Sequence, residues 1–306
     1  MKVLITGGSG LLGSAISFYF KDYFDVVATY TKHKIMIGSC QSIYLDITDA
    51  KNTIDLIRKI KPDIIVHTSA LVGINICEKE PELAYKINIE GTKNIVDAAN
   101  TTKTKIIYIS TDYVFNGKKG SYKEEDKPDP INYYGKTKLE GEKLIDTNNN
   151  AIVRTSIYGW NIIKERKSFS TWVIDELENN REINVFADQF NSMLLANNCA
   201  EALREIIDKD FNGIINITSS ERISKYDFAV KLAYIFSLNK ELIISVKNNE
   251  VGGYEKRPFD VSLNISKAKR ELTTKLLDVG HGLLKLKELK DNGYLNNFKV
   301  VKNERY

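Results

Sequence analysis

Short apolar runs rich in β-branched residues alternate with stretches of helical period through the first 160 residues. Lys2–Thr6 reads as a strand, followed by glycines and a helix from about Leu11 to Phe20. Phe24–Tyr30, Ile43–Leu45, Asp63–His67, Lys105–Ser110 and Ala151–Thr155 read as further strands. Ala50–Ile60, Pro81–Thr101 and Tyr133–Asp146 carry helical periodicity between them. Strands separated by helices of this length form βαβ units, and hence a parallel sheet with right-handed crossovers. Runs such as VLIT, DIIVH and KIIYIS suit strands covered on both faces.

Beyond residue 160 the pattern loosens. Helices are expected at Phe169–Asn179, Cys199–Ile207 and Lys225–Phe236, with short strands at Ile183–Phe186, Gly213–Ile217 and Leu242–Val246. No linker rich in Pro, Gly or Ser sets this part off, so a smaller lobe packed on the sheet is expected. The lysine- and asparagine-rich tail after Leu289 reads as a surface appendage.

Composition narrows the function classes. The 306 residues can bury one large core, or one core with a lobe. Lys and Arg number 44 against 40 Asp and Glu, interleaved rather than clustered, which gives nucleic-acid binding no support. No apolar run reaches the roughly 18 residues needed to cross a bilayer. The three cysteines are widely spaced, and the three histidines form no metal-ligand pattern. A cytoplasmic, metal-independent protein is expected.

The first strand–helix junction carries Thr6-Gly7-Gly8-Ser9-Gly10-Leu11-Leu12-Gly13. Gly7 permits a tight turn, Gly10 lets backbone approach a pyrophosphate, and Gly13 allows close helix–strand packing. The helix N-terminus, with Leu11 and Leu12, offers N–H groups and a positive dipole end to phosphates. The expected fold is therefore α/β: a Rossmann-like doubly wound parallel sheet with a smaller C-terminal α/β substrate-binding lobe. Residues 1–160 would be the dinucleotide-binding part and 161–306 mainly the lobe, some segments returning to the first part. The second strand ends Thr29-Tyr30-Thr31-Lys32 without the carboxylate that would bind the ribose hydroxyls of NAD. Thr31 and Lys32 would instead meet the 2′-phosphate of NADP, although Lys32 also reads as a solvated loop lysine. NADPH is the expected cofactor, with NADH open.

Tyr134 and Lys138 stand at i and i+4, and share a helix face. An ammonium there would lower the phenol's pKa from about 10, tuning it to give a proton to a carbonyl oxygen. The glycine spacing and this pair together resemble the extended short-chain dehydrogenase/reductases acting on nucleotide sugars. Ser110-Thr-Asp-Tyr-Val-Phe-Asn-Gly117, Asn132-Tyr-Tyr-Gly-Lys-Thr-Lys138, Arg154-Thr-Ser156 and Asp188-Gln-Phe190 resemble the dTDP-4-dehydrorhamnose reductase family.

That resemblance implies Tyr134 as proton donor, Lys138 on the nicotinamide ribose and Thr111 on the substrate oxygen. It also implies cofactor contacts from Asp46, Ile47, Ser69, Ala70, Asn88 and Ser110, and a possible homodimer. Gln189 and Arg257 would meet the substrate; Arg257 reads equally as an exposed ion-pair partner, and Gln189 more readily as structural. Thr111-Asp112-Tyr113 lacks the glutamate of the 4,6-dehydratases, and Tyr158-Gly-Trp-Asn161 lacks the histidine of the epimerase-reductases. Plain reduction of a nucleotide-linked 4-keto-6-deoxy sugar is the expected reaction. Two alternatives stand beside it: a regulatory subunit resembling the β subunit of methionine adenosyltransferase, and an epimerase that retains NAD.

Overall fold

In the computed structural model, which describes residues 1–250 and 257–302, the chain opens β1 (Lys2–Thr6), α1 (Leu11–Phe20), β2 (Asp25–Tyr30), β3 (His33–Met36), β4 (Gln41–Tyr44), α2 (Ala50–Ile60) and β5 (Ile64–His67). There follow α3 (Ile74–Lys79), α4 (Pro81–Tyr85), α5 (Gly91–Thr102), β6 (Lys105–Thr111), α6 (Tyr133–Lys143), β7 (Ala151–Thr155), β8 (Ile157–Tyr158) and α7 (Phe169–Glu178). The remainder is β9 (Ile183–Phe186), β10 (Phe190–Asn191), β11 (Leu194–Leu195), α8 (Ala196–Asp208), β12 (Gly213–Asn216), β13 (Ile223–Ser224), α9 (Lys225–Ile235), β14 (Ile243–Val246), α10 (Ser266–Glu271), α11 (Val279–Asp291) and β15 (Lys299–Lys302).

Seven strands form one sheet in the order β12-β7-β6-β5-β1-β2-β4, with every pair parallel. Alternation along each strand divides its side chains between two cores. Val3, Ile5, Val66, Ile107 and Val153 face α1 and α8, while Leu4, Ile65, Ile106 and Ile152 face α2 and α5. A third core joins α7, α9 and α11 through Val173, Leu177, Phe228, Leu232 and Leu283, with β9 and β14 paired in parallel beside it. Residues after 160 thus serve both parts of the molecule: β12 extends the large sheet and α8 covers it.

The helix expected over Pro81–Thr101 is continuous from Pro81 to Thr102 but widens within its length. Between α4 and α5 lies a π-helical stretch, Lys86–Glu90, and the short helix α3 ends at Lys79 just before α4 begins. The wide turn carries Asn88, which is 0% exposed. Its amide donates to Leu71 O at 3.1 Å and Thr137 Oγ1 at 2.9 Å, and its Oδ1 accepts from Leu71 N at 2.8 Å. Those bonds tie the helix to the loop after β5 and to α6. Extra residues of this kind inside α-helices recur where function constrains the backbone.

The tail is not an appendage. Strand β15 pairs antiparallel with β3, a strand the residue pattern did not announce. Tyr294 is 4% exposed, and its ring and that of Phe298 lie 5.1 and 5.5 Å from Phe18 on α1. The tail's few apolar residues close a small core with Ile35, Ile37 and the loop residues Ile162 and Ile163. Helices α10 and α11 are likewise additions to the expected elements.

Candidate active site

Because the sheet is parallel, the turn after β1 and the last residue of β6 lie along the same edge. The cradle begins with Gly7 at φ +67°, and Gly10 N donates to Gly7 O at 2.8 Å. A methyl on Gly13 would fall 2.3 Å from Gly7 O, so the helix can approach the turn this closely only without a side chain. Helix α1 has no side-chain cap and no acidic residue in its first turn, which leaves the N–H groups around Leu11, Leu12 and Gly13 for an anion. Ser69 closes the other side of the turn; a methyl on Gly7 would lie 3.0 Å from it. Ala70 follows Ser69 in the loop after β5, and these features fit a dinucleotide.

Asp46 and Ile47 follow β4. Asp46 Oδ1 accepts from Thr48 N and Oγ1 at 2.9 and 2.8 Å, and Ile47 O accepts from Asn94 Nδ2 at 2.9 Å. Thr31 and Lys32 are exposed at the end of β2. Burial holds the His33 imidazole below its ordinary pKa, and Arg166, Lys302 and Lys32 reinforce that against Glu165. Cations from three chain segments thus gather where the second strand ends.

Thr111 and Tyr134 come together. Asn132 caps α6 by accepting from Gly135 N at 2.8 Å, Glu78 Oε1 accepts from Tyr133 N at 2.9 Å, and a methyl on Gly135 would meet Tyr113 O at 2.1 Å. The helix start is thereby pressed against the end of β6, which brings the Thr111 hydroxyl close enough to the Tyr134 phenol to act on its pKa. Thr111 Oγ1 donates to Asp112 Oδ1 at 3.0 Å.

The lysine does not tune the phenol as the spacing suggests. Burial pushes the Tyr134 phenol well above its ordinary value, with Asp112, Cys77 and Tyr113 adding to the effect and the nearby Thr111 hydroxyl opposing it. Lys138 is 3% exposed, and its Nζ lies 4.0 Å from the centre of the Tyr108 ring. Burial brings the lysine down to about 7 against the pull of Glu142. Sharing a helix face sets proximity, but desolvation decides both pKa values.

Ser110 Oγ donates to Glu142 Oε1 at 2.5 Å, within a buried pair in which Arg154 grips Glu142 with two N–H groups. Gln189 Nε2 donates to Asn248 Oδ1 at 2.6 Å, and Arg257 Nη2 donates to Asn75 Oδ1 at 3.0 Å. Arg257 also acts electrostatically on Tyr113 and Lys225, which places its charge near Thr111 and Asp112. Three residues beside the reacting centre take no role from the sequence: Asp112, which is read there only as part of a motif, Asn191 and Lys225. Asn191 Nδ2 donates to Asp112 Oδ2 at 2.7 Å, and the Lys225 ammonium couples to the same carboxylate. They come from three distant segments, so no spacing could have joined them. Among the described residues no cluster of three His, Cys, Asp or Glu side chains could hold a metal, and no helix is long and apolar enough to cross a membrane.

Residues 1–287 match the family described as the RmlD substrate binding domain. The chain belongs to that family. It is 30% identical over 281 residues to the methionine adenosyltransferase 2 subunit beta of Xenopus tropicalis, covering 88% of this chain and 82% of that protein. Its fold matches the crystal structure of a hypothetical dTDP-4-dehydrorhamnose reductase from Sulfolobus tokodaii with a TM-score of 0.81 and 37% identity, covering 91% of this chain and 98% of the other. A dTDP-4-dehydrorhamnose reductase from Bacillus anthracis, solved in complex with NADP, matches with a TM-score of 0.83 and 27% identity over 94% and 98% of the two chains. The parallel α/β sheet is the architecture expected from the sequence.

Proposed function

We propose that this RmlD-family protein is an NADPH-dependent oxidoreductase that reduces the carbonyl of a nucleotide-linked 4-keto-6-deoxy sugar. Residues 1–160 would hold the cofactor and 161–306 mainly the sugar nucleotide. The observation that carries the reading is Tyr134 beside Thr111 and one helical turn from buried Lys138, on the sheet edge that bears the glycine cradle. The NADP-bound relative from Bacillus anthracis and the gathered cations near Lys32 support the choice of cofactor.

Gly7, Gly10, Leu11, Leu12 and Gly13 would receive the pyrophosphate, Thr31 and Lys32 the 2′-phosphate, and Lys138 the nicotinamide ribose. Asp46, Ile47, Ser69 and Ala70 would line the same ligand, while Asn88 and Ser110 would support it through the loop after β5 and through Glu142. When bound, NADPH supplies the hydride. Thr111 orients the sugar's carbonyl oxygen, and Tyr134 transfers its proton to that oxygen. A phenol with a raised pKa is a poor acid toward water but delivers its proton readily to an alkoxide, a much stronger base. Gln189 and Arg257 would grip the substrate, Arg257 by its planar guanidinium against a diphosphate.

The test is the loss of NADPH absorbance on adding dTDP-, GDP- and UDP-linked 4-keto sugars in turn. Oxidation with one supports the reading and identifies the nucleotide; silence with all, despite NADPH binding, contradicts it. The similarity to the Xenopus tropicalis subunit favours a second reading, in which the chain binds cofactor and regulates a partner enzyme. That reading predicts a change in a methionine adenosyltransferase's kinetics on mixing, with no NADPH consumed.

A further inference from the structure

Strand β10 runs between two cationic segments. On one side Phe190 pairs with Ser224, and Lys225 N donates to Gln189 O at 2.9 Å. On the other, Phe190 N donates to Phe259 O at 2.6 Å and Phe190 bridges to Asp260, both just beyond Arg257. The next residue of the strand, Asn191, bonds to Asp112 Oδ2 at 2.7 Å. Lys225 and Arg257 therefore flank the element that reaches from the lobe to the reacting centre.

The Lys225 ammonium is poorly matched by the protein itself. Its Nζ lies 3.2 Å from Met193 Sδ and 4.6 Å from the centre of the Phe169 ring. Among the described residues Met193 Sδ is its one hydrogen-bond acceptor. A thioether accepts weakly, a ring face attracts the charge without a lone pair, and an ammonium carries three N–H donors. Asp112 does not take up those donors: Thr111 Oγ1 engages its Oδ1 at 3.0 Å and Asn191 its Oδ2. Met193, Gln189, Asn191 and Asp112 are buried, whereas Lys225 and Arg257, like Tyr134, are half-buried. A cation drawn out of water onto sulfur and a ring still needs an oxygen acceptor.

We propose that Lys225 is a substrate-binding residue that, together with Arg257, takes the diphosphate of the sugar nucleotide. The proposal rests on the reductase reading above and adds a second cation to its phosphate site. Arg257 and Lys225 repel one another electrostatically. A neutral sugar hydroxyl between them would leave that repulsion in place. A diphosphate replaces it with attraction on both sides, the guanidinium binding as a planar fork and the ammonium as a compact charge. The sugar beyond the diphosphate then lies toward Thr111 and Tyr134, because Asn191 joins β10 to Asp112 at the end of β6.

The first readout needs no turnover: calorimetric titration of dTDP, GDP and UDP into the NADP-saturated protein. The wild type should bind at least one of them. Lys225→Met should weaken that diphosphate at least roughly tenfold, and Lys225→Arg should keep most of the affinity. NADPH affinity should be unchanged in both, which also shows that the variants are folded. Should Lys225→Met fail that check, Lys225→Gln gives the same comparison. In steady-state reduction the KM for the sugar nucleotide should rise with kcat little changed, the sign of a contact made equally in the ground and transition states. A Lys225→Met protein that binds the diphosphate as tightly as the wild type overturns the proposal, as does a loss confined to kcat. Diphosphate binding that depends on Lys225 without reduction of any keto sugar would remove the reductase reading and leave the site standing. A wild-type protein that binds no nucleoside diphosphate overturns both.

Discussion

Arg154 and Glu142 join strand β7 to helix α6 by a two-point ion pair, with Nη2 to Oε2 at 2.7 Å and Nε to Oε1 at 3.0 Å. Their side chains are only 3% and 4% exposed. Glu142 stands one turn beyond Lys138, and its charge raises the lysine's pKa. The pair therefore holds the helix that carries Tyr134 and also sets the electrostatics behind it.

Breaking one side of this pair strands a buried charge. Arg154→Met should cost about 3–5 kcal/mol of stability, read as a shift in the urea midpoint. The double variant with Glu142→Gln should recover part of that loss, because no unpaired charge then remains. Equal losses in the single and double variants would contradict this account.

Lys138 makes stability depend on pH in a definite direction. Its folded pKa is about 7, whereas a lysine in the unfolded chain titrates near about 10.4. Between those values the unfolded chain binds the additional proton, so stability rises with pH across that window. Below pH 7 the buried ammonium exerts its full destabilising effect. Lys138→Met should accordingly stabilise the cofactor-free protein at pH 6 and do so less at pH 9, measured by urea unfolding at both values.

The cradle tolerates no side chain where the helix meets the turn. Gly13→Ala would place a methyl 2.3 Å from Gly7 O and 2.9 Å from Gly8 Cα, both backbone atoms. NADPH affinity should fall at least roughly tenfold, about 1.4 kcal/mol, in a fluorescence titration. Gly280→Ala, whose methyl meets only Asp278 Oδ1 at 3.4 Å, should leave that affinity unchanged.

The tail supports the same helix from behind. Tyr294→Ala removes a buried ring from Phe18 on α1 and from Phe298, and should cost about 3 kcal/mol. Thermal melting would show the loss. An exposed appendage would show none.

What could be read from the residues divides along physical lines. β1, α1, α2 and β7 have the expected bounds, because their signals are local: an apolar run, a glycine turn, or Asp49 capping α2. The π-helical stretch at Lys86–Glu90 is different. One π turn of five residues is too short for its altered period to show against the α-helix around it, and Asn88 holds it by bonding to Leu71 and Thr137. The tail misled because its apolar residues are few, and they become buried only when β3 is presented to β15. At the reacting centre, Tyr134 and Lys138 are joined by spacing and Thr111 by a motif. Asp112, Asn191 and Lys225 meet only in three dimensions, and the shift of Tyr134 depends on burial that helical spacing cannot express.

Transfer of deuterium from NADPH labelled at nicotinamide carbon 4 tests the central claim most directly. Mass spectrometry of the sugar nucleotide after incubation with the wild-type protein should show one deuterium at the former carbonyl carbon, with one NADPH consumed per product and no transfer in Tyr134→Phe. Unlabelled sugar and unconsumed NADPH across the dTDP, GDP and UDP series would contradict the reductase account.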